Sequence, residues 1–125
     1  DRIKKVANYI PLQEVEGDVS SKLLVISWGG TYGALHQAVQ EVNEKGLKCA
    51  HIHLQYLNPF PKNLPEILEK YPQKAVCELN KGQMRNILQG EFGVSFKSYT
   101  KVQGKPFKVR ELVGFIEKEL ASGGN

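Results

Sequence analysis

The stretch Lys22-Leu23-Leu24-Val25-Ile26-Ser27-Trp28-Gly29-Gly30-Thr31-Tyr32-Gly33 decides the fold. Lys22 to Ser27 is a short apolar run rich in branched residues, the pattern of a buried strand. Gly29, Gly30 and Gly33 then punctuate a turn. Beyond it Leu35, Ala38, Val39 and Val42 recur at the spacing of an amphipathic helix. Gly46 follows Lys45 where a glycine ends such a helix. Lys48 to Leu54 reads as the next strand. Strand, turn, helix and strand make a βαβ unit, and right-handed crossovers put helices on both faces of a mostly parallel sheet.

The same alternation continues downstream. Leu57-Asn58-Pro59-Phe60-Pro61 must be a loop, because its prolines lack N–H donors and hold their predecessors extended. Asn63 and Glu66 have capping-box spacing, and Pro65 suits a first helical turn. Leu64, Ile67, Leu68 and Tyr71 repeat the helical stripe until Pro72. Lys74 to Leu79 is the third strand, Asn80-Lys81-Gly82 a turn, and Met84, Ile87, Leu88 and Phe92 a helix face. Ser95 to Val102 reads as extended, Gly104-Lys105-Pro106 as a turn, and Val109, Leu112, Val113, Ile116 and Leu120 as a terminal helix. Upstream, Pro11 to Glu16 is expected as an edge strand and Ile3 to Ile10 as a short helix. The expectation is one domain over 1–125, with 1–8 a linker or short helix and 121–125 a frayed tail.

Composition excludes several classes. With 41% hydrophobic and 24% charged residues, the 125-residue chain is neither disordered nor collagen-like. No run approaches the ~20 apolar residues of a membrane span, and no signal peptide is visible. Cys49 and Cys77 sit in apolar runs and read as small buried hydrophobes in a reducing, cytoplasmic setting. The net charge is mild at +4. Lys97, Lys101, Lys105, Lys108 and Arg110 form an acid-free basic segment that suits an acidic partner or a solvated face. Phe96, Tyr99 and Phe107 are interleaved with it, but no nucleic-acid-reading motif accompanies them.

The glycine turn opens a helix, so its backbone N–H groups suit an anion at Gly29, Gly30, Thr31 and Gly33. Its spacing is neither the dinucleotide fingerprint nor a Walker A loop, and a tight turn explains it equally. Cys49, His51 and His53 alternate on one strand face and invite zinc. At ~3.3 Å per residue Cys49 and His53 stand ~13 Å apart, and only lone Cys77 or His36 remains to complete a ligand set, so no metal is expected. His53 lies nearest the carboxyl end of its strand, where open α/β sheets bind ligands. Glu78, Asn80, Gly82 and Gln83 occupy the equivalent end of the third strand. They read either as ligand contacts or as structure: Asn80 capping the helix, Glu78 meeting a lysine. No nucleophile elbow is present, and the chain's only aspartates, Asp1 and Asp18, exclude a phosphoacceptor site.

Four stretches together resemble a family. Val25–Gly33, His53-Leu54-Gln55-Tyr56-Leu57-Asn58-Pro59-Phe60-Pro61, Glu78-Leu79-Asn80-Lys81-Gly82-Gln83-Met84 and Val102-Gln103-Gly104-Lys105-Pro106-Phe107 come in one order. They resemble the transketolase C-terminal-like domain of 2-oxoacid:ferredoxin oxidoreductase alpha subunits, the 2-oxoglutarate type. The resemblance runs from about Tyr9 to Leu120. Gly30 stands where serine is frequent, and Met84 where leucine is common.

The resemblance implies a three-layer αβα domain whose mixed five-stranded sheet has one antiparallel edge strand. It implies an enzyme that uses thiamine diphosphate, Mg2+, iron–sulfur clusters and coenzyme A. These groups would be held by other parts, since the chain has no GDG…N signature and no clustered cysteines. The implied role is non-catalytic support of assembly with the other alpha-subunit domains, the beta subunit and ferredoxin, with no nucleic acid or membrane. Its carboxyl-edge residues Gly29, Gly30, Thr31, Gly33, His53, Asn58, Pro59, Glu78, Asn80, Gly82 and Gln83 would meet a ligand or a subunit. The alternatives are a free-standing module for a small anion or nucleotide, and a small enzyme using His53 and Glu78.

Overall fold

A computed structural model describes residues 10–57, 59–79, 83–101 and 105–123. Five strands are seen: β1 (Glu16–Gly17), β2 (Leu23–Trp28), β3 (Ala50–Leu54), β4 (Gln73–Leu79) and β5 (Lys97–Lys101). Four helices accompany them: α1 (Tyr32–Glu44), α2 (Leu64–Lys70), α3 (Gln83–Phe92) and α4 (Val109–Gly123). The sheet order is β1-β3-β2-β4-β5. β1 runs antiparallel to β3, and every other pairing is parallel. The expected mixed sheet with one antiparallel edge strand is therefore present.

β2 is central and buried on both faces, which is why it reads as an unbroken apolar run. Leu23 and Val25 pack with Leu35, Ala38, Val39 and Val42 of α1 and Leu112 and Ile116 of α4. Leu24 and Ile26 point the other way, toward Leu64 and Leu68 of α2 and Met84 and Leu88 of α3. Two apolar cores thus sandwich the sheet between helix pairs, giving three layers.

Caps set the helix ends. Gly46, at φ +87°, closes α1, with Gly46 N–H donating to Asn43 O at 3.0 Å and Leu47 N–H to Val42 O at 3.2 Å. That pair of bonds is the Schellman arrangement. At α4, Glu111 Oε1 accepts the Lys108 N–H at 2.8 Å, the reciprocal half of a capping box.

Several boundaries differ from the sequence reading. The edge strand is only Glu16–Gly17, because Pro11 to Glu14 instead form a strap bonded through Gln13. α1 begins at Tyr32, so Gly33 is helical and does not belong to the turn. Cys49 lies just ahead of β3. Asn63 does not cap α2; its amide accepts from Gln13 N at 2.8 Å and donates to Gln13 O at 3.0 Å, clamping the strap. Ile87 is half exposed while Met84 and Leu88 are buried. Residues expected as a frayed tail continue α4 as far as Gly123. The readings at Ile3–Tyr9, Asn58, Asn80–Gly82 and Val102–Gly104 fall outside the described residues.

Candidate functional site

The carboxyl edge of the sheet gathers the ends of β2, β3 and β4. Sequence reasoning placed its candidate residues there, and the geometry separates them into two groups on either side of β2.

Between β2 and β4, the crevice is filled by the protein's own bonds. Glu78 is buried, and its carboxylate accepts from Trp28 Nε1 at 3.1 Å, Met84 N at 2.9 Å and Arg85 N at 3.1 Å. It holds the first turn of α3, where the helix dipole favours a negative charge. The expected lysine partner is replaced by backbone donors, because β4 ends directly beneath the helix start. Thr31 is also buried, and its hydroxyl is shared between Trp28 O at 2.9 Å and Cys77 O at 3.3 Å. Gly29 adopts φ +61° and turns the chain off β2 into a short 3-10 segment, Gly29–Thr31. Gly30 and Gln83 are exposed. Asn80 and Gly82 lie outside the described residues.

Between β1, β3 and α1 a polar cluster replaces the apolar core. In register, Val25 pairs with His51 and Ser27 with His53, so all face α1. Ser27 Oγ lies 2.8 Å from His51 Nε2 and 2.8 Å from His53 Nδ1. Ser27 and His51 are fully buried, while His53 is half-buried. β1 brings Glu16 opposite His51. Glu16 Oε1 is 2.7 Å from His36 Nδ1, and Glu16 Oε2 accepts the Tyr32 hydroxyl at 2.7 Å. The Tyr32 ring stacks on His36 and His51 at 5.4 and 5.6 Å and meets the edge of His53 at 4.8 Å.

Charge in this cluster follows from burial and contact. Burial drives the His51 imidazole down to about 4, against a smaller opposing pull from Glu16, so it is neutral near pH 7. Burial also lowers His53. Burial pushes Glu16 up, yet hydrogen bonds to Tyr32 and His36 and the electrostatic pull of the neighbouring imidazoles outweigh it and leave it below its ordinary value. The hydrogen bond to Glu16 raises the Tyr32 phenol.

Gly17 makes this approach possible. Its φ is +78°, and a Cβ there would stand 2.5 Å from Cys49 O and 2.9 Å from Val39 Cγ1. Next to the cluster, a cleft of about 510 Å³ opens between the strap and the end of β3. Leu12, Gln13, Glu16, Tyr32, His53 and Tyr56 line it. Pro59, half-buried, lies in the neighbouring loop; Asn58 is outside the described residues.

Of the candidates among the described residues, His53 alone joins the cleft, while Glu78 belongs to the β2–β4 crevice. Among the described residues no hydrogen bond connects the two. Sequence reasoning missed Glu16, Ser27 and Tyr32, and it met His36 only as a lone addition to the Cys49, His51 and His53 alternation. Tyr32 and His36 were readable as an i, i+4 pair on one helix. Glu16 carries no such signal, because only the antiparallel edge pairing brings it to His51. Cys49 and Cys77 are free and buried, and burial pushes the Cys49 thiol up to about 12.

Two of the groups implied by the resemblance, the iron–sulfur cluster and Mg2+, do not fit the donors among the described residues. Two buried, free thiols do not supply the ligands of an iron–sulfur cluster. A diphosphate-bound Mg2+ wants oxygen ligands, whereas the His/Cys/Asp/Glu cluster among the described residues offers one carboxylate and two imidazoles.

No protein-family model matches the chain. It is 42% identical over 114 residues to 2-oxoglutarate oxidoreductase subunit KorA of Mycobacterium tuberculosis, covering 90% of this chain and 18% of that protein. It is 40% identical over 112 residues to the 2-oxoacid:ferredoxin oxidoreductase alpha subunit of Saccharolobus solfataricus, covering 87% of this chain and 18% of that protein. Among solved structures it resembles the 2-oxoglutarate:ferredoxin oxidoreductase of Magnetococcus marinus, solved with 2-oxoglutarate, coenzyme A and succinyl-CoA bound. That match has a TM-score of 0.83 at 25% identity and covers 94% of this chain and 21% of the other. The chain thus spans about a fifth of the relatives it matches. With this similarity along nearly its whole length, and with the same fold, the chain belongs to the 2-oxoacid:ferredoxin oxidoreductase alpha-subunit family, of which it corresponds to one small domain.

Proposed function

We propose that this domain is the non-catalytic C-terminal part of a 2-oxoglutarate-type alpha subunit, and that it supports packing with the other alpha-subunit domains and the beta subunit. The observation that carries this reading is the coverage: 90% of this chain aligns with only 18% of the mycobacterial subunit. The chemistry of the β2–β4 crevice agrees. Glu78 and Thr31 spend their polar atoms on backbone groups, which suits a scaffold better than a turnover site.

Leu12, Tyr56 and Leu57 stay exposed at 55%, 40% and 36% around the cleft, and offer apolar surface to a neighbouring domain. On this reading thiamine diphosphate, Mg2+, the iron–sulfur cluster and coenzyme A are held elsewhere in a cytoplasmic enzyme that reduces ferredoxin. The basic segment around β5 is a candidate contact for an acidic electron carrier, although Lys101 is already engaged by Glu111 at 2.6 Å.

The test is reconstitution. The chain is mixed with the remaining alpha-subunit segments and the beta subunit, and sedimentation and 2-oxoglutarate-dependent ferredoxin reduction are followed. Co-sedimentation, with turnover that requires the chain, is expected. Absence of association together with undiminished turnover without the chain would overturn the reading.

A further inference from the structure

The Glu16 cluster contains one polar atom that the fold leaves unexplained. His51 is fully buried, and its Nδ1 has no hydrogen-bond partner. Leaving a buried ring nitrogen unpaired costs free energy unless another species satisfies it. That atom faces Glu16 Oε1 at 3.5 Å, and Glu16 Oε1 in turn lies 2.7 Å from His36 Nδ1. One potential ligand atom from each of Glu16, His36 and His51 falls within 4.8 Å of the other two.

We propose that Glu16 Oε1, His36 Nδ1 and His51 Nδ1 bind one divalent transition-metal ion of the zinc class, with the fourth position open to solvent or a small ligand. Tetrahedral zinc with bonds of ~2.0–2.1 Å separates its ligand atoms by about 3.3 Å. The spacings from Glu16 Oε1, 2.7 Å to His36 Nδ1 and 3.5 Å to His51 Nδ1, bracket that value. One carboxylate and two imidazoles form a donor set that zinc-class ions favour over magnesium or calcium.

The surroundings orient each ligand as a metal site requires. Ser27 Oγ holds His51 Nε2 at 2.8 Å, which leaves Nδ1 as the ligating atom. The Tyr32 hydroxyl holds the other oxygen of Glu16 at 2.7 Å, which leaves Oε1 free to ligate. In the tautomer whose Nε2–H donates to Ser27 Oγ, His51 Nδ1 carries the lone pair that ligation needs. Ligation through His36 Nδ1 displaces any proton held between it and Glu16. The ligands come from β1, α1 and β3, and a bound ion would tie the short edge strand to both neighbours. This ligand set is not the Cys49, His51 and His53 alternation seen in the sequence. Cys49 is not among the three donors, and His53 Nδ1 is bonded to Ser27.

The experiment uses the 125-residue chain stripped with chelator. Zn2+ binding is measured by calorimetry, and Co2+ serves as a visible-absorption probe of geometry. One ion per chain is expected, with the d–d bands of a four-coordinate nitrogen/oxygen site. His36→Ala and Glu16→Gln should each weaken Zn2+ binding by more than about 100-fold, exceeding the usual effect of losing an outer partner. His36 is half exposed, so circular dichroism should show the His36→Ala fold intact. The proposal is overturned by absence of stoichiometric binding, by an affinity in either variant unchanged from the parent chain, or by a thiolate–cobalt charge-transfer band, which would put the ion on Cys49 or Cys77.

Discussion

At the scale of single residues, Glu78 does the most to join the layers. Its carboxylate accepts three N–H donors, two from the first turn of α3 and one from the indole of Trp28. Truncation to alanine leaves those donors without their acceptor and removes the charge that faces the helix dipole. Glu78→Ala should therefore lower unfolding free energy by roughly 3 kcal/mol, and Glu78→Gln by less, since an amide oxygen still accepts. Urea titration followed by Trp28 fluorescence checks this, because Trp28 is the only tryptophan and touches the altered group. The sequence showed Glu78 at a strand end, where a ligand contact and a structural role look alike. Only the position of the α3 backbone distinguishes them. Gly17 illustrates the same limit. Its need for glycine arises from Cys49 O and Val39, far away in the chain.

At the scale of elements, hydrophobic periodicity located β2, α1, β3, α2, β4, α3 and α4 to within a few residues. It was less able to say which positions of a stripe face inward. On α3, Leu88 is fully buried while Ile87, its neighbour, is 51% exposed. A helix turns about 100° per residue, so adjacent apolar residues cannot both point at the centre of a narrow contact. Leu88→Ala should cost about 3 kcal/mol through lost burial and a residual cavity. Ile87→Ala should change stability by less than about 0.5 kcal/mol, as exposed positions do. Thermal melts of the two variants decide this; equal losses would mean that α3 docks differently. Asn63 shows a local signal overridden. Its capping-box spacing is intact, but the strap at Gln13 offers both a donor and an acceptor and takes the amide instead.

At the scale of the whole molecule, the two cysteines report on how the layers hold together. Cys77 is fully buried, Cys49 likewise, and burial raises both thiols. Their reaction with a thiol reagent at neutral pH should therefore proceed only through unfolding of the surrounding core. Labelling in native buffer should be slow and should accelerate in step with urea; fast labelling of one thiol would reveal local opening of that face. The layered α/β architecture is legible in the chain, because strand and helix periodicities and glycine or proline punctuation are written in consecutive residues. The sequence by itself also carried the family resemblance, which is spread over four short motifs of consecutive residues. Tertiary structure alone decided that Glu16 meets His36 and His51, and that the β2–β4 crevice is closed by Glu78 and Trp28. Those meetings depend on an antiparallel edge strand two residues long and on a helix end placed over a strand end. Contacts made across tens of residues leave no periodic trace in the chain, so packing, and not pattern, assembles the site.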